Sequence, residues 1–183
     1  LCSEYEQKLS TTIETSEIYV MNHRQPGERT FTVSEETAEV IEKGLEYSRL
    51  SDGVFDITIE PLSSLWNFTG ADPHVPSEDA IREELSKVGY ENVSVSGNQI
   101  TFANDVTTID LGAIAKGYIA DRMKEYLKSQ GVESAIINLG GNVLCVGERP
   151  GGKPFKIGLQ KPFADRTETV ASLDIRDLSV VSS

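Results

Sequence analysis

The sequence predicts an α+β fold, with helices mixed among antiparallel-rich sheets. Some segments repeat apolar residues at three- and four-residue steps, as at Ile114, Tyr118, Ile119, Met123, Tyr126 and Leu127, which marks one face of a helix. Others are short β-like runs around turn residues. Val93–Val95 and Gln99–Phe102 flank Ser96-Gly97-Asn98, a hairpin pattern. The two kinds alternate without the regular βαβ rhythm of a parallel sheet. At 183 residues the chain is ample for one domain with a sizeable core, at about 100–200 residues per domain.

Taken in order, Leu1, Tyr5 and Leu9 recur every fourth residue as the tail of an amphipathic helix. Leu9–Ser16 is rich in hydroxyls and reads as a loop, and Ser16–Asn22 as a short helical turn. A polar connection, Arg24–Arg29, leads to the β-like Phe31-Thr32-Val33. Ser34 then caps a helix with Glu35 and Glu36 at the favourable end of its dipole, a buried stripe of Val40, Ile41, Leu45 and Ser48, and a turn at Ser51-Asp52-Gly53. Phe55, Ile57 and Ile59 alternate with Asp56, Thr58 and Glu60, which predicts a half-buried strand stopped by Pro61. Leu62, Leu65, Trp66 and Phe68 cluster next, as a core patch or as the wall of a pocket for a flat ring. Ser77 caps a helix whose inward face is Ala80, Ile81, Leu85 and Val88. After the hairpin and the long helix, Gly131 stands at C′. Ala135–Leu139 reads as a buried strand ending in Gly140-Gly141-Asn142, followed by strands at Val143–Val146, Phe155–Leu159 and Thr169–Ile175.

The chain is organised around Thr107–Tyr118. Ile109 and Leu111 bracket Asp110 in a β-type run, and the helical period starts directly afterwards. A strand that passes through a Gly-containing turn into a helix gathers free N–H groups and a positive dipole end at one spot, suited to phosphate or carboxylate. Lys116, read as lying in the first helical turn, opposes that dipole at a cost of about 0.3–1 kcal/mol when exposed. A shared anionic ligand would offset the cost. The other reading is a solvated lysine, with Asp110 capping the strand or the helix.

Composition excludes several classes. Hydrophobic residues make up 38% and charged ones 25%, close to globular norms. No apolar run approaches the roughly 18 residues of a membrane span, and no signal peptide is visible. A net charge of −12 argues against nucleic acid as a partner. Cys2 and Cys145 lie far apart, and with His23 and His74 also scattered no zinc-ligand spacing exists.

Three ordered segments carry a resemblance. D-G-V-F-D-I-T-I-E-P-L-S-S-L-W-N-F (Asp52–Phe68), D-L-G-A-I-A-K-G-Y-I-A-D (Asp110–Asp121) and I-N-L-G-G-N-V (Ile137–Val143) resemble the ApbE family of FAD:protein FMN transferases, supported by Leu9–Asn22 and the terminal Ser179–Ser183. The resemblance covers nearly the whole chain. It implies an ApbE-like (T-fold-like) domain over residues 1–183. It also implies an enzyme that uses FAD and Mg²⁺, transfers FMN by a phosphoester bond to a Thr or Ser of a target protein, and releases AMP. Hydrolysis of FAD to FMN and AMP is the enzymatic alternative, and a flavin-binding module without turnover is another. Implied partners are flavin-accepting subunits of membrane redox complexes. The implied location is the extracytoplasmic side of the cell membrane, held by a lipid anchor, and Cys2 does not stand where the anchor cysteine would. A homodimer stays open.

Position by position, the resemblance places Val54, Phe55, Asp56, Asp110 and Lys116 at FAD contacts, with Asp110 and Lys116 as the catalytic pair. Thr12 falls at a flavin contact that is often Tyr, a departure from the family pattern. Ala113 falls at a Mg²⁺ ligand position, and alanine could ligate only through its backbone carbonyl. The family's remaining metal ligands are expected beyond this chain, so the resemblance implies a fragment without its N-terminal anchor and C-terminal third, with weak or absent turnover of its own.

Overall fold

The computed structural model describes residues 1–68, 70–163, 165 and 168–182. Ser183, the last residue of the terminal motif, lies outside the described residues. The chain divides into two compact units, Leu1–Ala115 and Lys116–Ser183.

The first unit contains α1 (Cys2–Leu9), α2 (Glu17–Asn22), β1 (Thr30–Thr32), α3 (Glu35–Leu50), α4 (Glu60–Ser63), α5 (Glu78–Leu85), β2 (Val93–Ser96) and β3 (Gln99–Phe102). Three of its helices, α2, α3 and α5, begin where a hydroxyl side chain accepts from an unpaired first-turn N–H. Ser16 accepts from Tyr19 N–H at 3.0 Å, Ser34 from Thr37 N–H at 3.4 Å and Ser77 from Ala80 N–H at 3.3 Å. The strands form an antiparallel sheet in the order β1-β3-β2. Ile18, Met21, Val40, Ile41, Leu45, Ile100 and Phe102 are fully buried. Gly44 of α3 sits so close to Ile57 that a Cβ there would lie 2.6 Å from Ile57 Cγ2.

The long helix α6 (Gly112–Ser129) starts at the end of the first unit and continues into the second. The second unit adds β4 (Ser134–Leu139), β5 (Asn142–Gly147), β6 (Phe155–Gln160), β7 (Thr169–Ile175) and β8 (Ser179–Val181). One antiparallel sheet runs β4-β5-β8, and β6 pairs with β7. Ala120, Ile137, Leu144 and Val146 form a buried cluster, with Met123, Leu127, Ala135 and Leu139 packed against it. The β4–β5 turn holds Gly140 at φ 59° and Gly141 at φ 95°, and two successive positive φ values are what a tight right-twisted hairpin requires. Of the expected buried strand, Ile137 is buried whereas Ile136 is 51% exposed.

Two expected strands are absent. Residues 54–59 form turns that lead into α4, and residues 107–111 run without a ladder partner. In both segments, distant groups satisfy the backbone in place of a neighbouring strand. Trp66 and Phe68 stack on one another at 6.3 Å, but Phe68 is exposed, so the tryptophan cluster is not core. The inward face expected of α5 has no fully buried residue, and Leu85 is 51% exposed.

Candidate active site

The missing strands and the exposed face of α5 surround one cavity. Its volume is about 400 Å³, within the first unit, and small-molecule sites run from about 300 to 1,000 Å³. One wall is the loop Gly53, Val54, Phe55 and Asp56, with Ile59 beyond it. Leu85 and Val88 form a second, apolar wall, and Asp110, Gly112 and Ala113 at the start of α6 form the third. Among the described residues, the lining therefore carries two carboxylates and no cationic side chain. A more open, largely apolar depression of about 430 Å³, lined by Tyr47, Leu50, Ser51, Phe55 and Ile114, shares Phe55 with it.

Asp56 builds the first wall. Its Oδ1 accepts from Thr58 N–H at 2.8 Å and from the Thr58 hydroxyl at 2.7 Å, and its Oδ2 accepts from Tyr90 N–H at 2.9 Å. The Thr58 hydroxyl in turn accepts from Gly89 N–H at 2.8 Å. One carboxylate thus bends residues 54–59 into a loop and ties it to the segment after α5. Burial, with Glu91 beside it, pushes the Tyr90 phenol above its ordinary value.

Asp110 is held differently. Its N–H donates to the Ile57 carbonyl at 2.7 Å, and its Oδ1 accepts from Gly112 N–H at 2.7 Å, an Asx-type turn into α6. Among the described residues, the second carboxylate oxygen has no hydrogen-bond partner. Just before it, both backbone groups of Ile109 pair with the side chain of Asn22.

The ApbE family model matches residues 1–183. The chain belongs to the ApbE family. The FAD:protein FMN transferase of Klebsiella pneumoniae is 37% identical over 185 residues, covering 100% of this chain and 56% of that protein. That of Vibrio cholerae is 29% identical, covering 100% and 55%. Among solved structures, the ApbE protein of Thermotoga maritima superposes with a TM-score of 0.86 at 31% identity, over 96% of this chain and 57% of that one. The flavin transferase ApbE of Vibrio cholerae gives 0.84 at 29% identity, over 97% and 58%. The chain spans about half the length of the curated relatives it matches.

Within this ApbE-family chain, Val54, Phe55, Asp56, Asp110 and Ala113 line the cavity together. Two expected site residues do not. Thr12 is exposed in the loop after α1, its hydroxyl 3.1 Å from that of Ser10. Lys116 belongs to the second unit and is exposed. It is the fifth residue of α6, one place beyond the first turn, so the full first-turn dipole penalty does not apply to it. Among the described residues, no hydrogen bond or ion pair reaches its ammonium group.

For magnesium, no group of three His, Cys, Asp or Glu side chains clusters among the described residues. Both oxygens of Asp56 are engaged, which leaves one oxygen of Asp110 as the unengaged carboxylate donor on the lining. One such oxygen does not by itself make the near-octahedral shell that Mg²⁺ demands. Reading the residues alone missed Leu85 and Val88, whose helical spacing is the same for a core face and a cavity wall. It also missed Thr58 and Asn22, whose partners lie 31 and 87 residues away in sequence.

Proposed function

We propose that the chain forms the FAD-binding part of an FAD:protein FMN transferase. The observation that carries this reading is the meeting of Val54, Phe55, Asp56, Asp110 and Ala113, drawn from two separate sequence motifs, around a single cavity. The names of the relatives support it. In the reaction, an acceptor Thr or Ser oxygen bonds to the FMN phosphorus and the bridging P–O bond breaks. AMP leaves with the bridging oxygen.

The residues of the chain divide the work. Phe55, Leu85 and Val88 give apolar surface for a ring. The start of α6, at Gly112 and Ala113, brings the positive end of a helix dipole to the lining, where an anionic diphosphate is favoured. Asp110 holds a substrate donor with its unengaged oxygen and is placed to receive the acceptor's hydroxyl proton. Asp56 keeps the loop in shape. Lys116 is not on the cavity lining, and a role for it as a cation toward the diphosphate rests on family membership alone. Mg²⁺ belongs to this reading as the ion that neutralises phosphate charge, with donors beyond those of the cavity lining. Flavin-accepting subunits of membrane redox complexes as partners, and an extracytoplasmic membrane anchor, rest on family membership alone.

The test mixes the full-length protein with FAD, Mg²⁺ and a flavin-accepting domain, followed by a denaturing gel under ultraviolet light and separation of the nucleotides. A fluorescent acceptor band with AMP formed in step, lost on chelation, is the expected result. Free FMN and AMP without a band would make the protein a pyrophosphatase, and bound FAD without products a binding module.

A further inference from the structure

Asp110 sits between two buried neighbours. Ile109 and Leu111 point into the core at 0% and 1% exposure, while Asp110 meets the cavity. In an extended segment, a slip of one residue exchanges the faces and would present an apolar side chain in place of the carboxylate. Register is normally fixed by a neighbouring strand, and residues 107–111 have none.

A single side chain supplies both ladder bonds. Asn22, the last residue of α2, donates from Nδ2 to the Ile109 carbonyl at 2.8 Å and accepts from Ile109 N–H at Oδ1 at 2.8 Å. Buried backbone groups must be paired, and a carboxamide is the side chain that offers a donor and an acceptor side by side. Two residues on, the Arg24 guanidinium donates to the carbonyls of Asn104 at 3.0 Å and Thr107 at 2.7 Å, which steadies the approach to Ile109. On the far side, Asp110 N–H is tied to Ile57. We infer that Asn22 is a positioning residue for Asp110: its carboxamide stands in for the absent strand and fixes the register in which the Asp110 carboxylate reaches the cavity. This rests on the proposed role of Asp110 in FAD turnover.

The decisive variant is Asn22→Asp in the full-length protein. It keeps the acceptor for Ile109 N–H, loses the donor, and sets a negative charge against the Ile109 carbonyl. FAD turnover per folded molecule is expected to fall about 10–100-fold, the scale of a small misplacement of a reacting group. The ratio of variant to wild-type activity should rise towards acid pH as the introduced carboxyl protonates and regains a donor. In an Asp110→Ala background the same change should add no further loss. Ser34→Ala, which removes the α3 cap, should lower stability and leave turnover per folded molecule unchanged. Wild-type turnover in folded Asn22→Asp, or losses that multiply in the double variant, overturns the inference. A readout independent of FAD is the Gly112 amide resonance, because that N–H donates to Asp110. It should shift in Asn22→Asp, and an unmoved resonance overturns the positioning role. If wild-type protein neither binds nor turns over FAD, the functional reading fails by itself, and the Gly112 resonance still decides for or against Asn22.

Discussion

Asp56 and Asp110 are one residue type on one cavity, with opposite duties. Asp56 spends both oxygens on Thr58 and Tyr90. Asp56→Ala therefore leaves three part-buried donors without an acceptor, and a loss of about 3 kcal/mol in urea unfolding is expected, at the low end of roughly 1–3 kcal/mol per stranded group. Asp110 spends one oxygen on Gly112 and keeps the other. Asp110→Ala in the full-length protein should cut FAD turnover by about 10²–10⁴-fold while unfolding at nearly the wild-type denaturant concentration. Equal loss of stability in both variants would contradict this division. The motifs single out both carboxylates, and both line the cavity, yet local sequence could not tell them apart. The difference lies in Gly89 and Tyr90, more than thirty residues from Asp56 along the chain.

At the level of elements, the serine-capped helices were legible, whereas α4 and the cavity walls were not. Ser16, Ser34 and Ser77 announce their helices because a cap and its partner N–H lie three residues apart. The hairpin of β2 and β3 was legible for the same reason, since Gly97 supplies the turn locally at φ 57°. Residues 55–59 and 107–111 carry strand-like alternation, and neither forms a strand. Their hydrogen bonds go to Tyr90, Gly89, Asn22 and each other, and local pattern cannot report such partners. Gly44 makes a related point about α3. Glycine within a helix normally costs about 1 kcal/mol relative to alanine, so Gly44→Ala should stabilise on propensity alone. Ile57 Cγ2 at 2.6 Å and Ile114 Cδ1 at 3.1 Å from the added Cβ reverse the sign. A net destabilisation of about 1–3 kcal/mol is expected by calorimetry or denaturant unfolding.

Across the whole chain, charge and burial set the response to solution conditions. Hydrogen bonding from Lys8 holds the Glu36 carboxyl below its ordinary value, and Gly147 N–H, followed by Lys124, does the same for Asp177. Both bind protons more readily when unfolded, so their stabilisation is complete above the ordinary carboxylate range and is lost as pH falls below about 4. Lys8, raised mainly by the Glu36 hydrogen bond, adds a mirror-image loss above about pH 10. Unfolding midpoints measured against pH should show both limbs, and Glu36→Gln should flatten each of them. Cys145 is fully buried, and burial pushes its thiol up. A thiol reagent should label exposed Cys2 at once and Cys145 only on unfolding of the second unit.

Among the described residues, the cavity is lined by two carboxylates and no cation, in a chain of net charge −12. For an anionic nucleotide this field works against encounter. Most charged ligands reach their proteins more slowly as salt rises, because screening removes attraction. Here screening removes repulsion, so the association rate of FAD measured by stopped flow should climb with added sodium chloride. The acidic surface then acts as a kinetic filter, slowest for the most highly charged nucleotides and relaxed by ionic strength.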